Sequence, residues 1–368
     1  MNYLEWAGIS LGKEDAFRLH LSMKRLASSR GVTNMRFWGK ILGKTRDYFI
    51  VEGKPGEADQ EEEEEEEQKD GRGNVIEKAG EGVNKLSYWV CHEPGDNWVK
   101  LPNATPEQVE IAGKIRRILI GDLEAPVRGH PPFPGKEKNY LRAMIARISA
   151  ETVICPTGLF KESEDEDAFD VEPADEEEEP FEPVDLNDPA NWVHYMLPIN
   201  RLGRSRPNPP PLDDEGEPID DPDAPPQGQL LKPAGEDKLF GRMDGEEEEA
   251  EEEDEEGINE PGSAWALRTC PSGGPPSGLE ETQVMVAAKN RRWPGAVAVG
   301  LGKRYVNCYV GYGIQNLKKP YAPQLPAALQ TEYDVQGEET RLVEQADVKE
   351  DPDEGKEEEA EEEEEDED

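Results

Sequence analysis

Two runs of β-branched and aromatic residues, Met35-Arg36-Phe37-Trp38-Gly39-Lys40-Ile41-Leu42-Gly43 and Asp47-Tyr48-Phe49-Ile50-Val51-Glu52, flank a short polar turn. This is the sequence form of a β-hairpin. Along the first run Phe37, Gly39 and Ile41 fall on one face of an extended chain and Trp38, Lys40 and Leu42 on the other, because successive side chains alternate. Both faces are partly apolar, which predicts a hairpin inside a sheet and not at its wet edge. Ahead of it, Ala16, Leu19, Met23, Leu26 and Ala27 recur at helical spacing. They predict an amphipathic helix over residues 10–30, capped by Ser10, with Glu14 and Asp15 near its positive end and Gly31 to close it.

After the hairpin, residues 86–92 and 98–102 read as two more strands, joined through Pro94-Gly95 at the centre of a type II turn. Thr105-Pro106-Glu107-Gln108 opens a helix with Thr105 as N-cap, Pro106 at the first helical position and Gln108 completing a capping box. Its stripe runs through Ile111, Ala112, Ile115, Ile118 and Leu119 to Gly121, and Lys114, Arg116 and Arg117 form its basic outer side, the ordinary solvated face. Residues 140–148 fit helical and alternating patterns about equally; Leu141, Ile145, Ile148 and the good helix formers around them favour a helix. Late in the chain, runs at 264–269, 282–287, 296–300 and 305–312 are separated by turn residues at 271–277, 293–295 and 301–303. Spacings this short predict an antiparallel meander.

Composition changes the picture in one respect. The chain has 368 residues, 84 acidic against 41 basic, and only 34% hydrophobic, with 35 Gly and 32 Pro. Such a balance implies much unfolded or loop-like chain, yet seven Trp argue for real cores, and all seven lie outside the charge runs. Residues 1–56 carry a net +5, 71–150 a net +3 and 263–330 a net +6, which leaves −57 for the remainder of a chain whose net charge is −43. The stretches that can fold are mildly basic; the acidity sits in inserts and tail, such as the unbroken Glu run 61–67.

Pattern and charge together predict an α+β fold: antiparallel β-hairpins and a meander with a few amphipathic helices, interrupted by long disordered acidic inserts and an acidic tail. Residues 1–56 hold the first helix and hairpin, 57–85 an acidic insert, and 86–160 the continuation of the core. Residues 161–262 are acidic and Pro-rich, mostly disordered, with a short ordered island near 186–202. Residues 263–330 form the C-terminal β block and 331–368 an acidic tail.

Little in the chain carries chemistry. Cys91, Cys155, Cys270 and Cys308 lie far apart, neither a disulfide framework nor a zinc pattern, which suits a reducing compartment. Cys91-His92 are neighbours that point to opposite faces of a strand, so Cys91 reads as a packed core thiol. His194, between Trp192 and Tyr195, has no partner motif and reads as packing. No phosphate loop, dinucleotide-binding loop, nucleophile elbow or zinc-protease motif is present, and the carboxylates lie in solvated runs. No catalytic, cofactor-binding or metal-binding residues are therefore assigned, no cofactor is expected, and no signal peptide or membrane-spanning run is expected either. Two classes survive: a structural or assembly protein working through its folded blocks, and an acidic chaperone that binds basic proteins such as histones through its polyanionic runs. The Trp distribution favours the first.

The motifs also carry a resemblance. Arg36-Phe37-Trp38-Gly39-Lys40-Ile41-Leu42-Gly43, Cys91-His92-Glu93-Pro94-Gly95, Trp98-Val99-Lys100-Leu101-Pro102, Pro131-Pro132-Phe133-Pro134-Gly135, Asn139-Tyr140-Leu141-Arg142-Ala143-Met144-Ile145, Asn191-Trp192-Val193-His194, Trp293-Pro294-Gly295-Ala296 and Tyr309-Val310-Gly311-Tyr312-Gly313 stand in one order. In that order the chain resembles the radial spoke head protein 4/6 family. The resemblance implies a non-enzymatic subunit of the radial spoke head in the axoneme of motile cilia and flagella. It implies contact with the central-pair projections and a part in regulating dynein-driven bending. Implied partners are a paralogue of the same family, a smaller spoke head protein with the Phe-Trp-Gly motif and other spoke head and stalk proteins, with no nucleic acid and no membrane. The sequence departs from the family in two places. Members usually carry an extension before the region matching Tyr3-Leu4-Glu5-Trp6, and the Pro-rich stretch 203–233 replaces a segment of the family that does not align with it.

Overall fold

The computed structural model describes residues 4–5, 7–54, 69–163, 170–175, 180–206, 230–239, 262–270 and 284–316. The Glu run 61–67, most of the Pro-rich stretch 203–233 and the tail expected from 331 lie outside the described residues.

The hairpin forms as the pattern predicts, from β1 (Thr33–Ile41) and β2 (Tyr48–Lys54), with Ile41 opposite Tyr48 and Phe37 opposite Val51. β3 (Ser87–Cys91) pairs with β2, and β4 (Val99–Lys100) with β3. Between them the Asp96 N–H donates to the Glu93 carbonyl at 3.0 Å, with Pro94 and Gly95 central and Gly95 at φ 112, as the expected turn requires. The meander is β9 (Trp265–Cys270), β10 (Met285–Asn290), β11 (Ala296–Leu301) and β12 (Arg304–Gly311), antiparallel throughout. The third of its four expected runs begins where predicted, whereas β10 starts at Met285, three residues late; Thr282 and Gln283 lie outside the described residues.

All eight strands join one sheet in the order β4-β3-β2-β1-β12-β11-β10-β9, which puts the hairpin in its interior. The one parallel pair, β1 with β12, sets Gly39 opposite Tyr309. Local spacing carries no information about a pairing between strands so distant in sequence. The strict alternation read along β1 is also broken. The register slips between Phe37 and Gly39, making Trp38 the extra residue of a bulge. Phe37 stays with Val51 on one side of the sheet, while Trp38 joins Ile41 on the other.

Three α-helices are described: α1 (Lys13–Arg30), α2 (Pro106–Lys114) and α3 (Glu137–Thr152). α1 buries Leu19, Ser22 and Leu26 and ends at Gly31 in the left-handed region. It begins three residues later than expected. The Ser10 hydroxyl accepts from the Gly12 N–H at 3.1 Å in a local turn, so Gly12 and not Ser10 holds the N-cap position. α2 has the expected capping box: the Gln108 N–H donates to Thr105 Oγ1, and the Thr105 N–H to Gln108 Oε1, each at 3.4 Å. It stops at Lys114, well short of Gly121. Ile115 turns extended, and the N–H groups of Ile120, Gly121 and Asp122 go to the carboxylate of Glu137. A side-chain acceptor from elsewhere has replaced the helical carbonyls.

α2 and α3 cover one face of the sheet, packing Ile111, Tyr140, Leu141 and Ile145 on Trp38, Ile41, Ile50, Val90 and Tyr309. α1 covers the opposite face near Val51 and Trp89, and Leu4, Ala7 and Ile9 cover it near Val297 and Cys308. Two small ribbons complete the α+β fold: β5 (Ile154–Pro156) with β8 (Trp192–His194), and β6 (Phe160–Glu162) with β7 (Val171–Pro173). Asn307 ties the first ribbon to β12, accepting from the Ile154 N–H and donating to the Ile154 carbonyl at 3.2 and 2.9 Å. The described residues 230–239, within a stretch read as having little to fold, are ordered against it. Ala234 is buried, and the His194 N–H donates to the Lys232 carbonyl at 2.9 Å.

Candidate interaction surface

Most of the aromatic residues in the motifs are interior, Trp38, Phe133, Tyr140, Trp192, Trp293 and Tyr309 among them. Trp38 Nε1–H donates to the Ser149 hydroxyl at 2.9 Å across the sheet–α3 boundary, and its ring lies 5.5 Å from Tyr309. Gly39 follows because β12 passes too closely for anything larger: a Cβ there would sit 2.1 Å from the Tyr309 carbonyl oxygen. Phe133 meets Tyr140 edge-on at 5.3 Å. Trp293 donates from Nε1 to Glu151 at 2.8 Å, and Arg147 lies over its ring at 5.4 Å. Trp192 is fully buried and donates to the Leu186 carbonyl at 2.9 Å. The shared motifs therefore specify a core, and an aromatic–polar one in which each indole N–H has a partner.

The residues weighed for chemistry are placed as follows. Cys91 is buried, its thiol pushed up to about 12 by burial, while the His92 ring turns away to the Asp47 carbonyl at 2.9 Å. All four cysteines are buried thiols outside any disulfide. His194 is not simple packing. Its Nε2 lies 2.7 Å from Asp237 Oδ2, which also accepts from Trp265 Nε1–H at 2.8 Å, with Lys232 Nζ at 3.6 Å from the other oxygen. Burial alone would raise the Asp237 carboxyl; the bonds from His194 and Trp265 and the charge of Lys232 outweigh it and hold the group below its ordinary value. His194, Asp237 and Trp265 are buried, and Lys232 is the member of the cluster that reaches solvent. Asp237 had no signal in sequence, since it stands 43 residues from His194. Among the described residues, no group of three His, Cys, Asp or Glu side chains could hold a metal ion, and no helix is long and apolar enough to cross a membrane. Cavities beside Phe37 and Cys308, and beside Arg36 and Asn307, measure about 20 and 10 Å³, room for a water molecule and little else.

What can meet a partner lies outside this core. Val99 on the edge strand β4 is 48% exposed and Tyr312 after β12 is 51% exposed, two large motif side chains the fold does not bury. Phe17 and Leu21 lie exposed one turn apart on α1. A third exposed region is built on Glu137, which the sequence reading missed. This carboxylate is 1% exposed and accepts from the N–H of Gly121 at 2.7 Å, Ile120 at 2.9 Å and Asp122 at 3.2 Å, and from the Tyr48 hydroxyl at 2.8 Å. It thereby pins residues 120–122 to the first residue of the strand that leaves the hairpin tip.

Sequence comparisons agree with the motif reading. The model of the radial spokehead-like protein family matches residues 1–75 and 75–354. The chain is 34% identical to mouse radial spoke head protein 6 homolog A, the alignment covering 90% of this chain and 51% of that protein. It is 33% identical to human radial spoke head protein 4 homolog A, over 90% and 49%. It is 32% identical to flagellar radial spoke protein 4 of Chlamydomonas reinhardtii, over 90% and 68%. The chain thus spans about half the length of the mouse and human relatives it matches. Nearly the whole described fold falls within these matches, and the chain belongs to the radial spokehead-like protein family.

Proposed function

We propose that this protein is a structural, non-enzymatic subunit of the radial spoke head in the axoneme of motile cilia and flagella. The observation that carries the proposal is the fate of the motifs held in common with radial spoke head proteins 4 and 6. Their aromatic residues are spent mainly on a core of packed indoles and phenols with buried arginines, and among the described residues the cavities beside it have room for little more than a water molecule. On this reading the folded, mildly basic blocks make the head's internal contacts, pairing with a paralogue of the family and with the smaller Phe-Trp-Gly spoke head protein. The head in turn meets the central-pair projections and passes mechanical signals that regulate dynein. Acidic runs favour a weak, screened contact that can be made and released at each beat.

A pull-down from detergent-extracted motile axonemes with the full chain as bait tests this. Recovery of the paralogue and the smaller head protein supports a spoke head subunit. Recovery instead of histones or other basic proteins, lost when residues 357–368 are deleted, replaces it with the acidic-chaperone reading. Changing residues 61–67 from Glu to Ser should leave head assembly intact and alter the waveform of reactivated axonemes. An unchanged beat across a range of salt would remove the electrostatic part.

A further inference from the structure

The tip of the β1–β2 hairpin and the segment after α2 make one surface. The Lys44 N–H donates to the Leu119 carbonyl at 2.8 Å and the Thr45 N–H to the Ile120 carbonyl at 2.9 Å. The Arg117 guanidinium donates to the Arg128 carbonyl at 3.1 Å. These bonds bring together the stretches that carry Lys44, Arg46, Arg116, Arg117 and Arg128, and with them Ile118, an apolar side chain left 44% exposed. Among the described residues none of these five cations is in an ion pair, whereas their neighbours are: Lys40 with Asp47 at 2.7 Å, and Lys138 with Glu124, also at 2.7 Å. Asp122, exposed after Gly121, is occupied in accepting the Glu124 N–H at 3.0 Å. In a chain of net charge −43, five cations outside any ion pair, on stretches bonded to one another and beside an exposed apolar side chain, give a basic surface complementary to an acidic one.

The surface is also stiff. Glu137 holds residues 120–122, and a Cβ on Gly121 would sit 2.5 Å from the Arg46 carbonyl oxygen, so hairpin tip and segment are in tight backbone contact. Charges presented on a fixed base lose little entropy when a ligand settles on them.

We propose that this surface docks an acidic peptide segment of a partner chain, its carboxylates meeting the arginines and Lys44 and an apolar side chain covering Ile118. Arginine suits carboxylates because its planar fork can bind both oxygens at once. A polynucleotide fits less well. It carries a charge about every 1.7 Å along a duplex, or about every 3.4 Å along one strand, and would meet the acidic remainder of this chain beyond the patch. A short peptide confines its charge to the patch, and at physiological salt, with a Debye length of about 8 Å, the patch and not the net charge of the chain decides.

The test is fluorescence anisotropy of the full chain with a short labelled Glu/Asp peptide bearing one central Leu. Arg116→Glu combined with Arg128→Glu should weaken binding by about tenfold or more at low salt. Ile118→Ser should weaken it by about threefold. Lys24→Glu combined with Arg25→Glu on α1, an equal change in net charge, should leave it unchanged. Equal loss in that control, or no binding by the unaltered chain, overturns the proposal. So does a labelled single-stranded oligonucleotide that binds as tightly and is lost in the same variant, which would make this a nucleic-acid surface. If the reversed pair unfolds by circular dichroism, the milder Arg116→Gln with Arg128→Gln decides the matter.

Discussion

Glu137 and Asp237 are both buried carboxylates, and they hold the molecule together in different ways. Glu137 takes its bonds almost entirely from the main chain, three N–H groups and one phenol, and among the described residues no basic side chain pairs with it. Asp237 takes its bonds from side chains, His194 and Trp265, drawn from separate stretches, with Lys232 an ion-pair partner 3.6 Å from its other oxygen. The first fixes the path of a segment, because backbone donors have nowhere else to turn once the helix has ended. The second ties stretches to one another and leaves their backbones to ribbons and turns. A main-chain anchor leaves its donors orphaned when it is lost; a side-chain anchor leaves partners that can rotate or ionise differently.

That contrast can be broken at several points. Glu137→Ala should have the largest effect, about 4 kcal/mol in urea unfolding, since each buried donor left without an acceptor costs about 1–3 kcal/mol. Solvent exchange at the amides of residues 120–122 should rise with it, and unchanged exchange there would break the anchor argument. Asp237→Ala should cost less, about 2–3 kcal/mol, because it orphans two buried donors, His194 and Trp265, against four for Glu137, while Lys232 reaches solvent.

Asp237 also makes a pH prediction. A carboxyl held below its unfolded value stabilises the fold fully above the unfolded value, near 3.9, and loses that contribution as pH falls through the folded one. The stability gap between the unaltered chain and Asp237→Asn should therefore narrow on acidification below about pH 4. A gap that is constant with pH would contradict the arrangement. Trp38→Phe keeps most of the packing but leaves the Ser149 hydroxyl without its donor, which should cost about 1–2 kcal/mol. The smallest effect is kinetic. Cys91, Cys155 and Cys308 are buried with thiols pushed up to about 12, so a thiol-specific dye at pH 8 should label them in the folded chain only as fast as it opens.

The hairpin, the capping box of α2, the Pro94-Gly95 turn and the four-strand meander were legible because each rests on residues within a few positions of one another. α3 was legible as a helix, although it buries residues on more than one side and so presents no clean polar face. The end of α2 was not, because the stripe through Ile115, Ile118 and Leu119 is a sound helical pattern and what overrides it is a carboxylate at Glu137. The partner of His194 was hidden for the same reason. The bulge at Trp38 was hidden by a different one: alternation assumes that each residue on one strand faces one on the next. The resemblance named the family from motifs whose aromatic residues are mostly buried. The basic surface around Ile118 lies on residues read as an ordinary solvated helix face, and it took the fold to bring Lys44, Arg46 and Arg128 beside them.

The parallel pairing of β1 with β12 has a consequence for how the protein is made. In the finished sheet β1 is an interior strand, but its second neighbour lies about 270 residues further along the chain. Throughout synthesis of that interval the hairpin offers an open edge with Trp38 and Ile41 beside it, the kind of surface that pairs with whatever strand arrives first. Closing so distant a pair is also slow. The long Glu-rich and Pro-rich tracts between the two strands are poor strand formers and mutually repulsive. Of the sequence made during that wait, these tracts are the part least suited to pair with the open edge.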